Sequence, residues 1–175
     1  MANPARYGGF KPTPLLRSRH YWRISTDATA IFIGDAVEPV SDGTVGAAEA
    51  GDNVCTGVSL DYGAASTSKL VAIADNTEQE YIVRDDASGS TTLATLLGYI
   101  HNNADHIAGA GSAYTYQSGH SLDLTTPTTT TLTFRVLAYL SYGIDNPEMV
   151  AAETYGLWRV RVNETPYSIA SNAGV

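Results

Sequence analysis

Cysteine is almost absent. Cys55 is the single one in 175 residues, so the chain holds no internal disulfide and no cysteine metal cluster. Stability must therefore come from packing, helped by association with other chains. Long apolar runs are missing as well: none approaches the roughly 18–20 residues that a membrane-spanning helix needs. No charged-then-apolar leader opens the chain, so it is expected to stay in cytosol-like surroundings or to leave only by lysis. No membrane partner is expected. Charge is sparse at 16%, and basic charge sparser still, with ten Lys and Arg against eighteen Asp and Glu and a net charge of −8. Such a chain repels the phosphates of nucleic acid, which disfavours that class of partner.

What is present favours strands. A 43% hydrophobic content suits a folded protein, and sixteen glycines, eleven tyrosines and many threonines lean towards β structure. One domain of this length buries about 70% of its unfolded surface. "AIFIGDAVEPV" reads as a strand pair or bent strand before a turn at "SDGT". "NVCTGVSL" alternates, placing Val54, Thr56, Val58 and Leu60 on one face. "KLVAIAD" and "EYIVRDD", split by "NTEQ", suit a hairpin or a short connection. In "TTTTLTFRVLAYL" the period-two set is Leu132, Phe134, Val136, Ala138 and Leu140; in "GLWRVRVNE" it is Trp158, Val160 and Val162, with Arg159 and Arg161 outward. Leu93, Leu96, Leu97 and Ile100 instead follow helical spacing, which predicts one short helix over 91–101 capped at Ser90 or Thr91. The expected fold is all-β: a single β-barrel or jelly-roll-like sandwich with one short helix and an extended N-terminal arm.

Chemical motifs fail one by one. His120, Ser121 and Asp123 in "SGHSLDL" resemble a hydrolase set, but neighbouring strand residues point to opposite faces, so a structural turn is the reading. His101, Asp105 and His106 lack the i, i+4 spacing of a helical zinc pair. Asp85-Asp86 and "DNTEQE" lack a calcium-loop pattern and read as a solvated acidic edge. "GAGS" at 109–112 lacks the Lys-Ser/Thr ending of a phosphate loop, and the "NET" acceptor at 163–165 precedes a proline. No catalytic residue, no metal and no cofactor is expected; the chain reads as a binding or structural part, not an enzyme.

The opening "MANPARYGGFKPTPLLRSRHYWRI" reverses the charge of the rest. Residues 1–23 hold five bases and no acid, which leaves 24–175 with five bases against eighteen acids, or −13. Pro4, Pro12 and Pro14 disfavour helix there. The chain therefore divides into an extended arm, 1–20, and a body, 21–175. An entirely solvated tail has no use for Phe10, Leu15, Leu16, Tyr21 and Trp22, so the arm is expected to dock.

The same stretches carry a resemblance. "MANPARYGGFKPTPLLR", "YWRISTDATAIFIGDAVEPV", "AGDNVCTGVSL", "YIVRDD", "GAGSAYTYQSGHSLDL" and "LWRVRVNETPYSIASNAGV" resemble small virion proteins of tailed bacteriophages. Those proteins commonly begin Met-Ala-Asn, with a Gly-Phe-x-Pro element and an "STDATALFIGDPV"-like strand. The likeness spans nearly the whole chain and implies a capsid decoration, or cement, protein. Such a protein sits on the outer surface of the virion head and clamps neighbouring major capsid protein subunits, after assembly in the host cytoplasm. With that implication, Arg6, Tyr7, Phe10, Lys11, Leu15, Leu16, Arg17, Arg19, Tyr21, Trp22 and Arg23 become the expected capsid-binding set. The arginines would pair with coat carboxylates, and Phe10, Tyr21 and Trp22 would fill pockets between subunits. A homotrimer is the first expectation and a dimer the second. The alternative is a head-fibre or carbohydrate-binding host-recognition module, with Tyr114, Tyr116, Tyr139 and Tyr142 forming an exposed patch.

Overall fold

The computed structural model describes residues 8–13, 15–25, 29–51, 54–86, 92–125, 127–130, 132–140 and 156–166. Seven strands come before the helix: β1 Lys11–Pro12, β2 His20–Arg23, β3 Ala36–Pro39, β4 Val45–Ala47, β5 Gly57–Ser59, β6 Leu70–Ala74 and β7 Glu80–Arg84. Helix α1, Leu93–Gly98, follows. The chain then forms β8 Asn103–Ala104, β9 His106–Ile107, β10 Ser121–Leu122, β11 Phe134–Tyr139 and β12 Leu157–Val162. They assemble into two five-stranded antiparallel sheets, β1-β7-β12-β11-β8 and β2-β6-β5-β3-β4, plus the pair β10-β9. The arrangement is a β-rich sandwich with one short helix, and among the described residues no closed barrel forms. The second sheet nonetheless curls, since Ile24 beyond β2 bridges Val45 of β4. No described helix is long and apolar enough to cross a membrane.

Alternation builds the main core. Along β12, Trp158, Val160 and Val162 are buried while Leu157, Arg159 and Arg161 are half-buried, as the period-two pattern predicts. They pack with Phe10, Tyr81, Val83, Phe134, Val136 and Tyr139 in one cluster. Each large side chain fully buried there contributes about 1.5–3 kcal/mol. A smaller cluster of Ile24, Ile31, Val37, Val45, Val71 and Ile73 fills the curl of the second sheet.

Four local expectations are narrowed or corrected. First, of the two readings of the "NTEQ" link the short connection holds and the hairpin does not: β6 and β7 lie in different sheets, so it crosses from one sheet to the other. Second, the register of β11 on β12 shifts between Val136 and Ala138. The extra residue of this bulge turns Tyr139 inward, 3% exposed, and leaves Ala138 and Leu140 only half-buried. Third, β5 is the middle strand of its sheet and is buried on both faces, while Val54 before it is 42% exposed. Fourth, the helix is shorter than 91–101 and starts after Thr92; Leu96 is buried and Leu97 is 38% exposed. The proposed caps Ser90 and Thr91 lie outside the described residues.

The N-terminal segment runs extended, but along its own body. Lys11 and Pro12 pair with Ile82 and Tyr81 of β7, and His20–Arg23 pair with Ile73–Leu70 of β6. Between them the Thr13 amide donates to the Glu80 carbonyl and the Arg17 amide to Gln79 Oε1. Residues 11–13 and 15–23 thus shadow 70–84 antiparallel across both sheets.

Candidate functional site

The expected capsid-binding set divides in two. Arg6 and Tyr7 lie outside the described residues. Phe10 cannot fill a partner's pocket, because it is 1% exposed and stacks on Phe134 with ring centroids 4.4 Å apart. Its burial is set up by Gly9, at φ +60°, where a side chain would strike Ser118 and the Gly34 carbonyl. The Phe10 amide then donates to that same carbonyl at 2.9 Å. Trp22 is half-buried, packs on the smaller cluster and donates from Nε1 to Asp75 at 3.1 Å. His20 Nδ1 meets the other Asp75 oxygen at 2.8 Å.

The remaining members face outward. Leu15 is 73% exposed, Tyr21 60% and Leu16 39%. Lys11, Arg17, Arg19 and Arg23 are exposed, and none forms an ion pair with another described residue. Arg19 instead lies 6.0 Å from the Tyr21 ring centroid, and Arg23 donates to the Ser68 carbonyl. The nearby acids are committed elsewhere: Glu80 to Arg159 and Glu78 to Arg161. Leu70, opposite Arg23 in β6, is 51% exposed and extends the apolar part of the strip. The result is a mixed apolar and cationic band over 15–23 along the edge strand β2. Sequence reasoning missed Leu70, since alternation alone marks it as a strand residue without saying which face is covered.

The chemical motifs that sequence reading set aside are placed differently from one another. His101, Asp105 and His106 do not converge: His101 is exposed, Asp105 Oδ1 accepts from Thr133, and His106 is buried. Among the described residues no group of three or more potential metal ligands assembles. His120 does not join Ser121 and Asp123; Asp123 instead accepts from Thr125. Asp85 is no solvated edge residue, being 5% exposed and accepting from Trp158 Nε1 at 2.9 Å. Asn163 is 6% exposed and donates to the Leu132 carbonyl, which leaves no accessible glycosylation acceptor there. Cys55 is enclosed, and burial pushes its thiol up to about 12.

One polar group was not foreseen. The rings of His106 and His120 stack at 5.2 Å, and His120 Nε2 faces Asp35 Oδ1 at 3.5 Å. The Ala36 amide donates to His120 Nδ1 at 3.3 Å, so in the neutral ring the proton sits on Nε2. Asp35 is 2% exposed, and desolvation raises it to about 6 despite hydrogen bonds from Ser118 and the Phe32 amide. Burial lowers His120 to about 3, with His106 adding a smaller push. The residues lie 85 positions apart, so no local spacing could signal the pair.

Of the exposed tyrosine patch, Tyr114 is 94% and Tyr116 47% exposed, while Tyr139 belongs to the core. Tyr142 lies outside the described residues. Tyr116 contacts Tyr62 at 4.5 Å, and Tyr62 contacts Phe32 at 5.4 Å. Compared with known proteins, the chain matches no family model, no curated protein and no solved structure.

Proposed function

We propose that this chain is a virion structural protein, a capsid decoration or cement protein. In this reading it binds the outer surface of a tailed-phage head and clamps neighbouring major capsid protein subunits. The observation that carries the reading is the band over 15–23: exposed leucines and a tyrosine interleaved with cations that have no acid partner among the described residues. Residues of this kind sit on the edge of a sheet whose own body is strongly acidic. An exposed apolar strip of this sort favours a partner, and its cations favour an acidic one. Exposed ion pairs contribute only about 0–1 kcal/mol each. Leu15, Leu16, Tyr21 and Leu70 must then supply most of the contact energy, aided by avidity from several copies. The likeness to tailed-phage virion proteins supplies the class of partner.

Docking of the segment onto its own chain changes how the arm would act. It is a surface on the body, not a free tether, so removing residues 2–20 would also remove Phe10 from the core. The informative experiment is cryo-electron microscopy of decorated heads. Coat density within contact distance of Leu15, Arg17, Arg19 and Tyr21 supports the reading; a molecule seated with that band in open solvent contradicts it.

A second reading is favoured by Tyr114. A tyrosine almost wholly exposed, two positions before a Tyr116 that packs on Tyr62, suits stacking on sugar rings, as in a head-fibre or host-recognition module. Glycan-array binding that is lost in Tyr114→Ala would turn the assignment that way.

A further inference from the structure

A cleft of about 410 Å³ opens where the 29–35 loop, the end of β4 and the 108–111 loop meet. Two features of its lining point to a ligand. Asp35 is buried to 2% exposure in this wall, and its Oδ1 has no hydrogen-bond partner, the His120 nitrogen being too distant at 3.5 Å. A buried carboxylate oxygen left in this state costs free energy that a donor would recover. The rest of the lining is divided by chemistry: five alanines and the Phe32 ring are apolar, Glu49 adds a second carboxylate, and no lysine or arginine is present.

We propose that this cleft binds a primary alkylammonium group, with the nitrogen on Asp35 Oδ1 and the methylene stem against the alanines and Phe32. An ammonium brings positive charge and three donors on one small atom. Its stem is apolar, as the alanine wall requires, whereas a sugar would need polar partners around its whole rim. His120, neutral in its buried place, brings no charge to the carboxylate, and its Nε2–H at 3.5 Å is too distant to satisfy Oδ1. A free alkylamine and a lysine side chain of a partner protein carry this same chemistry. The site is distinct from the 15–23 band and stands or falls without it.

The test is a titration of the ¹⁵N-labelled full chain with n-butylammonium, following the amides of Ala48, Gly109 and Gly111, with n-butanol as the neutral isostere. Saturable shifts with the ammonium, at least about tenfold weaker with the alcohol, are expected from the charged hydrogen bond. Asp35→Asn should weaken ammonium binding by a similar factor. Should that variant fail to fold, the unaltered chain serves in its place. There, affinity must fall as acidification towards about pH 5 protonates Asp35, with Glu49, His106 and His120 the other titratable groups nearby. Absence of saturable shifts, equal binding of butanol, or affinity indifferent to both Asp35→Asn and pH overturns the proposal. Among supporting outcomes, Nα-acetyl-lysine methylamide binding as well as n-butylammonium assigns a partner's lysine. Binding of n-butylammonium alone assigns a small free amine.

Discussion

Phe10 stacks on Phe134 inside the main core, and truncating it removes a ring that other side chains cannot replace. Phe10→Ala is expected to cost about 3–5 kcal/mol, read as a lowered urea midpoint for the whole domain. Unchanged stability would show that the N-terminal segment contributes nothing to the core. Asp35 and His120 make a second residue-scale prediction, with opposite signs. Asp35 is raised when folded, so its contribution favours folding below its ordinary pKa and is lost as pH rises through about 6. His120 is lowered to about 3, so acidification below its ordinary pKa favours the unfolded chain, which takes up the proton more readily. In the unaltered protein the two effects oppose each other between about pH 4 and pH 6. Asp35→Asn should therefore lose stability on acidification through that window, and His120→Gln should gain it. Urea titrations across the window check both; slopes of the same sign would contradict the assignment.

At the scale of elements, the N-terminal segment supplies an edge strand to each sheet, β1 to one and β2 to the other. Gly9 sets its entry, since a side chain at φ +60° would meet both Ser118 and the Gly34 carbonyl. Gly9→Ala should lift residues 8–13 off β7, seen as faster amide exchange at Phe10 and Thr13 while β12 stays protected. Retained protection at Phe10 would remove Gly9 from the account. The legible elements were those in which local pattern and packing agree. β12 alternates Trp158, Val160 and Val162 against two arginines, and the leucines of α1 follow a helical period. Elsewhere the pattern was silent. A five-residue link between β6 and β7 has the same sequence signature whether it folds a hairpin or crosses sheets. The bulge in β11 inserts one residue without a glycine or proline to mark it, which is why Tyr139 was expected outside and Ala138 inside. The exposed band was legible as basic and aromatic, but composition could not say that Phe10 would turn inward while Leu15 stayed out.

For the whole molecule, residues 1–23 carry +5 against −13 in the remainder, and three of those cations, Arg17, Arg19 and Arg23, lie in the 15–23 band, so attachment through the band is sensitive to salt. Head occupancy should drop as ionic strength rises past about 0.5 M while the domain stays folded, because exposed pairs are screened and the core is not. Sedimentation of the free protein distinguishes a trimer from a dimer. The central claim is that the 15–23 band holds the protein to a coat surface. Its most direct measurement is co-sedimentation with undecorated heads of a variant carrying Leu15→Ser, Arg17→Glu and Arg19→Glu, substitutions at exposed positions that leave Phe10 and Gly9 in place. The account predicts an unchanged melting temperature and occupancy reduced by at least about tenfold, the loss expected when apolar contact and charge complementarity fail together. Normal occupancy by that folded variant would contradict it.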